Sequence, residues 1–317
     1  VITNNPNEYL VLGDSTWAGG SWATAADFST CKYVEVAGTT KVRFQIIGSQ
    51  SNTIIGGAPA RTAYFDITFG SICSDITVHN LLIRDGGAGL WAKTEVSASD
   101  ARTWYPYSRM NNLRVYDNEI SNTYNEAMYL GHTATYWNIT NNTPYYPGPE
   151  VTSVDTSIYK QPIKWYNMRV YNNYVHDIGN DGIQIAAADT VDVRNNEVAN
   201  WATKHSFNDN GGILIGGRVK GFHVHYNYVH DGWGEMLQIY AQGGSTWMNL
   251  VDTNLLVHNE GEGISMKPTD GLLVIIRQNT IAYTGAHTIR LNGFFDTVTV
   301  KPIHILEKNI FAQPTET

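Results

Sequence analysis

Seven times along the chain the pattern apolar-x-x-Asn-x-apolar returns. It reads VYDNEI at 115–120, VYNNYV at 170–175, VRNNEV at 193–198, VHYNYV at 224–229, VDTNLL at 251–256, IRQNTI at 276–281 and LEKNIF at 306–311. A weaker copy, TVHNLL, surrounds Asn80. Ten residues beyond the Asn a second apolar alternation begins, at Leu90, Met128, Ile183, Leu237, Ile264 and Ile289. Asn196 alone breaks the count and reaches Ile213, which reads as a seven-residue insertion at KHSFNDN. Self-similarity at a fixed period is the signature of a solenoid. The units show period-2 runs punctuated by Gly, Asn and Asp, without helical periodicity. Short strands and tight turns of this length predict coils stacked into a parallel β-helix, in which each coil supplies the hydrogen bonds its neighbour lacks.

The predicted fold is therefore all-β: a single-domain right-handed parallel β-helix spanning 1–317, a solenoid of roughly ten coils about 50 Å long at ~4.8 Å per coil. Residues 1–75 repeat less clearly and form the opening coils; 76–317 carry the regular ones. The Asn residues should stack as a side-chain amide ladder. Pairs such as Leu90/Ala92, Met128/Leu130 and Ile183/Ile185 should fill the interior. Long steps after Leu90 and Met128 place insertions 93–112 and 131–166 at one corner, where they should form an aromatic-rich side wall.

Composition fits an extracellular, turn-rich protein: charged residues are scarce at 16%, while Tyr (19) and Trp (9) are frequent. The expected location is secreted or on the cell surface, and Val1 at the start fits a mature product or an excised part. No window has the ~18 apolar residues of a membrane span. A formal charge of −8 argues against nucleic acid. Cys31 and Cys73 have only each other to pair with. A disulfide fits export; free buried thiols are the alternative.

Side chains flanking the interior pairs alternate outward. One row is Trp91, Tyr129, Gln184, Leu214, Gln238, Ser265 and Arg290; the next includes Lys93, Gly216, Tyr240, Lys267 and Asn292. A third row, two residues before the pairs, carries Glu126, Asp181, Glu235 and Glu262. Stacked acids repel unless protonated, hydrogen-bonded or bridged by a cation, and Ca²⁺ takes six to eight oxygens. Turn residues capping backbone N–H groups are the structural alternative. Flat rings beside a strand face suit sugars, so Trp91, Tyr129, Gln238 and Tyr240, with Trp104 and Trp137 in the insertions, are the candidate glycan-binding residues. For the insertion rings, packing against the rod is the alternative.

Residues 260–267, EGEGISMK, followed by Asn279–Thr280 and Gly285, resemble polysaccharide lyase family six, the chondroitinase B and alginate lyase β-helices. That resemblance implies Ca²⁺ held by Glu260 and Glu262, with Asp231 as a further ligand. It implies Lys267 as the base that removes the C5 proton of a uronic acid, and Arg290 beside the leaving oxygen. The family's arginine position is Asn292 here, two residues beyond Arg290. Over most of the length, segments such as VYNNYVHDIGNDGIQI look like secreted Bacteroidetes surface β-helix repeat proteins. That likeness implies a non-catalytic carbohydrate-binding or adhesive rod, able to associate end to end. A polygalacturonase-like hydrolysis would rest on Asp181 and Asp209, although the basic motif that accompanies such acids is missing. The expected partner is an acidic polysaccharide or another glycan.

Overall fold

The computed structural model describes residues 1–13, 23–55, 58–147, 153–240, 248–266, 273–291 and 303–312, with 50–55 and 58–63 given by their backbone alone. Its strands stack into three long parallel sheets. Two have ten strands, running from Ile2–Thr3 to Ile303–Glu307 and from Leu10–Gly13 to Ile310–Ala312; the third has nine, from Thr24–Asp27 to Ile289–Leu291. Nine coils each contribute one strand to each sheet, the last described coil contributes to the first two, and the registers follow the repeat. Val115, Val170, Val193, Val224, Val251 and Ile276 lie one above the next in the first sheet. Leu90, Met128, Ile183, Ile213, Leu237 and Ile264 do the same in the third, fully buried in the lumen. A period-2 pattern buries one face of every strand, so a slip of one residue would turn this whole set outward.

The ladder forms at the bend between the first and second sheets. The side-chain amides of Asn118, Asn173, Asn196, Asn227, Asn254 and Asn279 each donate to the carbonyl oxygen of the next Asn, ending on Asn309, at 2.9–3.0 Å. The residue before each is left-handed: Asp117, Asn172, Asn195, Tyr226, Thr253, Gln278 and Lys308 have φ of 52–57°. That conformation turns the chain, and the Asn behind it satisfies backbone groups the turn leaves unpaired. Asn80 does not enter the ladder. Leu82 pairs with Glu119, so Leu81 stands at the ladder position and its N–H donates to Asn118 Oδ1 at 3.1 Å. Asn80 instead takes the left-handed bend, φ 55°. The coil is one residue shorter up to Leu90 than its neighbour, which disguised the shift.

The two insertions meet as expected. Trp104–Tyr105 of the first pairs antiparallel with Tyr159–Pro162 of the second, which also pairs with Tyr136–Asn138 and, through it, Thr143–Tyr145. Buried groups fasten this small sheet to the rod. Lys164 Nζ donates to Asp189 Oδ1 at 2.7 Å, Trp165 Nε1 donates to the Ala92 carbonyl at 2.9 Å, and Arg218 donates to the Pro162 carbonyl.

One expectation needs correction. The row Trp91 to Arg290 points away from the lumen, in the register anticipated, yet much of it is not solvent-facing: Gln184, Leu214, Gln238 and Ser265 are buried. Period-2 alternation fixes which side of a sheet a residue takes, not whether anything lies over that side. Tyr240, for example, reaches back over its neighbouring coil: a Cβ on Gly216 would meet its ring at 2.2 Å.

Candidate functional site

The acidic row forms as a stack, because Met128 pairs with Ile183 and Leu237 with Ile264. At its N-terminal end Glu126 and Asp181 occupy adjacent coils. The insertion after Trp201 adds a third acid, and the way it is tied down explains how. At one end Lys204 Nζ donates to Asn125 Oδ1 at 2.7 Å and sits 3.9 Å from the Tyr124 ring centre. At the other, the Gly211 N–H donates to Asp181 Oδ1 at 2.6 Å, and Trp201 Nε1 to the Asn210 carbonyl at 3.0 Å. Held between these anchors, Asp209 brings a carboxylate oxygen within 4.8 Å of oxygens from both Glu126 and Asp181.

Three carboxylates this close cannot all be charged without a counter-ion. Asp181 is fully buried, and its second oxygen, Oδ2, has no hydrogen-bond partner among the described residues. Burial, and then the Glu126 charge, hold its carboxyl well above the usual carboxylate range. Burial and the Asp209 charge raise Glu126 as well. The cluster therefore retains protons into the pH range where isolated carboxyls have lost them, while Glu126 and Asp209 stay partly exposed. Such a site can give and take protons, and it has the oxygens to hold a hard cation.

The same insertion builds a second feature. His205 stacks on Trp233 at 4.8 Å and 7°, and Phe207, which is 81% exposed, meets the Trp233 ring edge-on at 5.0 Å. Beside them lies a hollow of about 570 Å³ lined by Trp201, Asp231, Asn259, Glu260 and Tyr283 among others. The sequence marks KHSFNDN as extra length and offers its Asp209 beside Asp181 as hydrolytic acids, but it does not reveal that Asp209 also reaches Glu126, or the ring that the insertion lays against Trp233. The available signal was composition: an insertion holding His, Phe and Asp within seven residues.

The residues singled out earlier are placed as follows. Lys267 and Asn292 lie outside the described residues. Arg290 donates to Glu262 Oε1 at 2.7 Å, and His287 Nδ1 stands 3.7 Å from the same oxygen. Glu262 is thus committed to a guanidinium, whereas Glu260 and Asp231 line the hollow. Asp231 occupies a recurrent left-handed bend, φ 60°, and its Oδ2 lies 2.6 Å from His230 Nδ1. No cluster of three metal-ligating groups among the described residues contains Glu260, Glu262 or Asp231. This set does not fit a shared Ca²⁺, because the three carboxylates do not converge and the Glu262 oxygen that could serve is turned to Arg290.

Trp91 and Tyr129 meet edge-on on adjacent coils, ring centres 4.5 Å apart, and Lys93 Nζ sits over both rings at 4.3 and 4.5 Å. Tyr129 also pairs through its hydroxyl with Thr133 at 2.6 Å. Lys93 thus covers one face of each ring, while Trp91, half-buried, still lines a hollow beside Phe65 and Glu95. Gln238 Nε2 donates to Glu235 Oε2 at 3.0 Å, and Tyr240 lies near enough to Asp181 and Asp209 for their charges to raise its phenol further, after burial. Trp104 donates to the Ser97 carbonyl at 2.7 Å beneath Lys160, and Trp137 donates to Asn142 Oδ1 at 3.0 Å against the His132 ring. Both rings hold the wall together, as amphipathic aromatics with a polar handle do. Cys31 and Cys73 are free thiols.

A family model for the right handed beta helix region matches residues 164–307. The chain is a right-handed parallel β-helix. No curated protein sequence matches it significantly. Among solved structures, the GH136 lacto-N-biosidase from Eubacterium ramulus is similar in its selenomethionine derivative at TM-score 0.59 and 14% identity, over 97% of this chain and 56% of that one. The native form of that enzyme is similar at TM-score 0.50 and 14% identity, over 98% and 64%. The A-module of the Azotobacter vinelandii mannuronan C-5 epimerase AlgE4 gives 0.39 and 10%, over 98% and 88%. The chain spans less than two thirds of either lacto-N-biosidase chain, and at these identities the likeness is one of fold. No helix among the described residues is long and apolar enough to cross a membrane.

Proposed function

We propose that this β-helix is an extracellular glycan-cleaving enzyme whose centre is Glu126, Asp181 and Asp209. The observation that carries the reading is the approach of three carboxylates to within 4.8 Å, one of them fully buried with an unpartnered oxygen. Glycosidic cleavage needs one carboxyl that keeps its proton at working pH and one that does not. Asp181, by its burial, keeps the cluster short of full ionisation. Glu126 and Asp209, which reach the surface, are then the acid and its partner. Oxygen separations under 4.8 Å lie nearer the ~5–5.5 Å of retaining pairs than the ~6.5–9.5 Å of inverting ones. His205 and Phe207 of the same insertion, with Trp233 of the next coil, offer a ring platform for a sugar. With Glu235 continuing the acidic row, a neutral oligosaccharide suits this face better than a polyanion. The glycoside hydrolase of the same fold is consistent with that choice.

The test is product release from a panel of neutral oligosaccharides, with product stereochemistry read by NMR. Cleavage with retention, reduced about 10²–10⁴-fold in Glu126→Gln and Asp209→Asn, is the expected outcome, and chelator should leave it unchanged. A calcium-assisted lyase on uronans, using Lys267 and Arg290, is the competing reading, and the Arg290–Glu262 pair stands against it. Unsaturated, ultraviolet-absorbing products from alginate or dermatan that vanish with chelator would replace our reading with that one. Glycan binding without cleavage of any substrate would make the protein a binding or adhesive rod.

A further inference from the structure

On a different face, the outer side of the first sheet, the register assembles a second cluster. Asp192 pairs with His223, and Arg194 with His225, in adjacent strands; His225 pairs in turn with Asp252 on the next coil. His223 and His225 project to one side of their strand and stack ring on ring at 3.7 Å and 9°. Imidazole is the commonest protein ligand for transition metals, and here two are presented together. Each meets a carboxylate: His225 Nε2 lies 2.9 Å from Asp192 Oδ1, and His223 Nε2 lies 2.8 Å from Asp252 Oδ1.

We propose that Asp192, His223 and His225 bind a divalent transition-metal ion. One atom from each lies within 4.8 Å of the others. The Asp192–His225 separation of 2.9 Å is close to the edge of a coordination polyhedron built on bonds of ~2.0–2.1 Å, so an ion can replace the shared proton with little movement. Two nitrogens and one oxygen favour Zn²⁺, Co²⁺, Ni²⁺ or Cu²⁺ over Ca²⁺ or Mg²⁺. Asp252 is placed to hold the His223 ring from behind, the role carboxylates commonly play behind metal-bound histidines. The cluster opens into a hollow of about 590 Å³, which leaves room for a water or an anionic ligand to complete the shell. Arg194 occupies the second oxygen of Asp192 and stacks on Tyr171 at 4.3 Å, so it tempers the site's charge without blocking Oδ1. An ion here would staple successive coils together.

Isothermal titration of the chelator-stripped full chain with Zn²⁺, and the visible spectrum of its Co²⁺ form, test this. One site is expected, with a raised melting temperature when Zn²⁺ is bound and no comparable response to Ca²⁺. His223→Gln with His225→Gln should abolish the site, and Asp252→Asn should weaken it about 10–100-fold. Arg194→Gln should tighten it, and His258→Gln, on another face, should leave it intact. Failure of the wild-type chain to bind Zn²⁺ or Co²⁺ more tightly than the double variant overturns the proposal. So does a site that persists in that variant.

Discussion

Replacing Asn227 with Ala tests the ladder where it is most enclosed. Asn227 is 1% exposed. Its Oδ1 accepts from the Asn196 side-chain amide and from the Asn196 backbone N–H, both at 3.0 Å. Its Nδ2 donates to the Val193 and His225 carbonyls at 3.0 and 3.1 Å and to Asn254 Oδ1 at 3.0 Å. Truncation leaves the Asn196 N–H and the Val193 carbonyl without these partners, and Asn254 Oδ1 keeps only the Asn227 N–H. The Asn196 side chain keeps its bond to the Val170 carbonyl. At ~1–3 kcal/mol for each buried group left unsatisfied, two to three such groups at the middle of that range amount to about 4–6 kcal/mol. Asn309→Ala removes the acceptor for Asn279 and the donor to the Ile276 carbonyl at a half-buried end of the stack, where water can substitute for both, and should cost about 1 kcal/mol. Urea midpoints of the two variants against wild type measure the difference. Asn227→Asp supplies a further check: it keeps the acceptor and turns the donor into an anion facing Asn254 Oδ1, so its defect should shrink as the pH falls. If Asn227→Ala unfolds within about 1 kcal/mol of wild type, the ladder marks the coil without stabilising it, and the argument fails.

Asp181→Asn should flatten the pH dependence of stability. Because the folded carboxyl holds its proton above the unfolded value, the native state binds the extra proton, and wild-type stability falls as pH rises from about 4 through the raised native value. The variant should be more resistant to urea at pH 8 and similar at pH 3.5; equal curves at both would sink the assignment. Gly216→Ala must displace the Tyr240 ring, whose nearest atom would lie 2.2 Å from the new methyl, at about 1–3 kcal/mol. Adding Tyr240→Ala should recover most of that loss, and an additive double mutant would count against the contact. Under native conditions a maleimide should label Cys31 and spare Cys73, whose thiol is buried, pushed up to about 11, and bonded to the Phe28 and Gly70 carbonyls. Mass spectrometry finding the two joined would refute it.

The solenoid was legible because its signal recurs: six spacings of ten residues and seven Asn motifs leave few alternatives, and an apolar alternation repeated at a fixed period specifies register as well as fold. Asn80 shows the limit. A one-residue deletion elsewhere in its coil moved the ladder position to Leu81, and a local motif cannot report a distant deletion. The stacked acids were visible as a row, so Glu126 beside Asp181 followed from spacing. Asp209 did not, since it reaches them through an insertion whose path depends on Lys204 meeting Asn125 and Gly211 meeting Asp181. The pairing of Arg290 with Glu262 was hidden for a different reason. Residues 28 apart in sequence were rightly put on adjacent coils, but which neighbour a long flexible side chain chooses is decided by local charge, and spacing carries no record of that. The aromatic insertions were found, whereas the role of their rings as internal mortar depends on what each indole N–H can reach.

The left-handed corner before each ladder Asn has a bearing on how such a chain can change over time. The stacking information resides in the straight runs and in this seam, so material added at the other bends leaves every row aligned, as residues 204–210 do between the second and third sheets. Losing or duplicating one whole winding is equally tolerable, since the windings above and below present the same seam. The acid carried by an insertion and the length of the column can therefore be altered by separate genetic events, one acting on such a bend and the other on the count of windings.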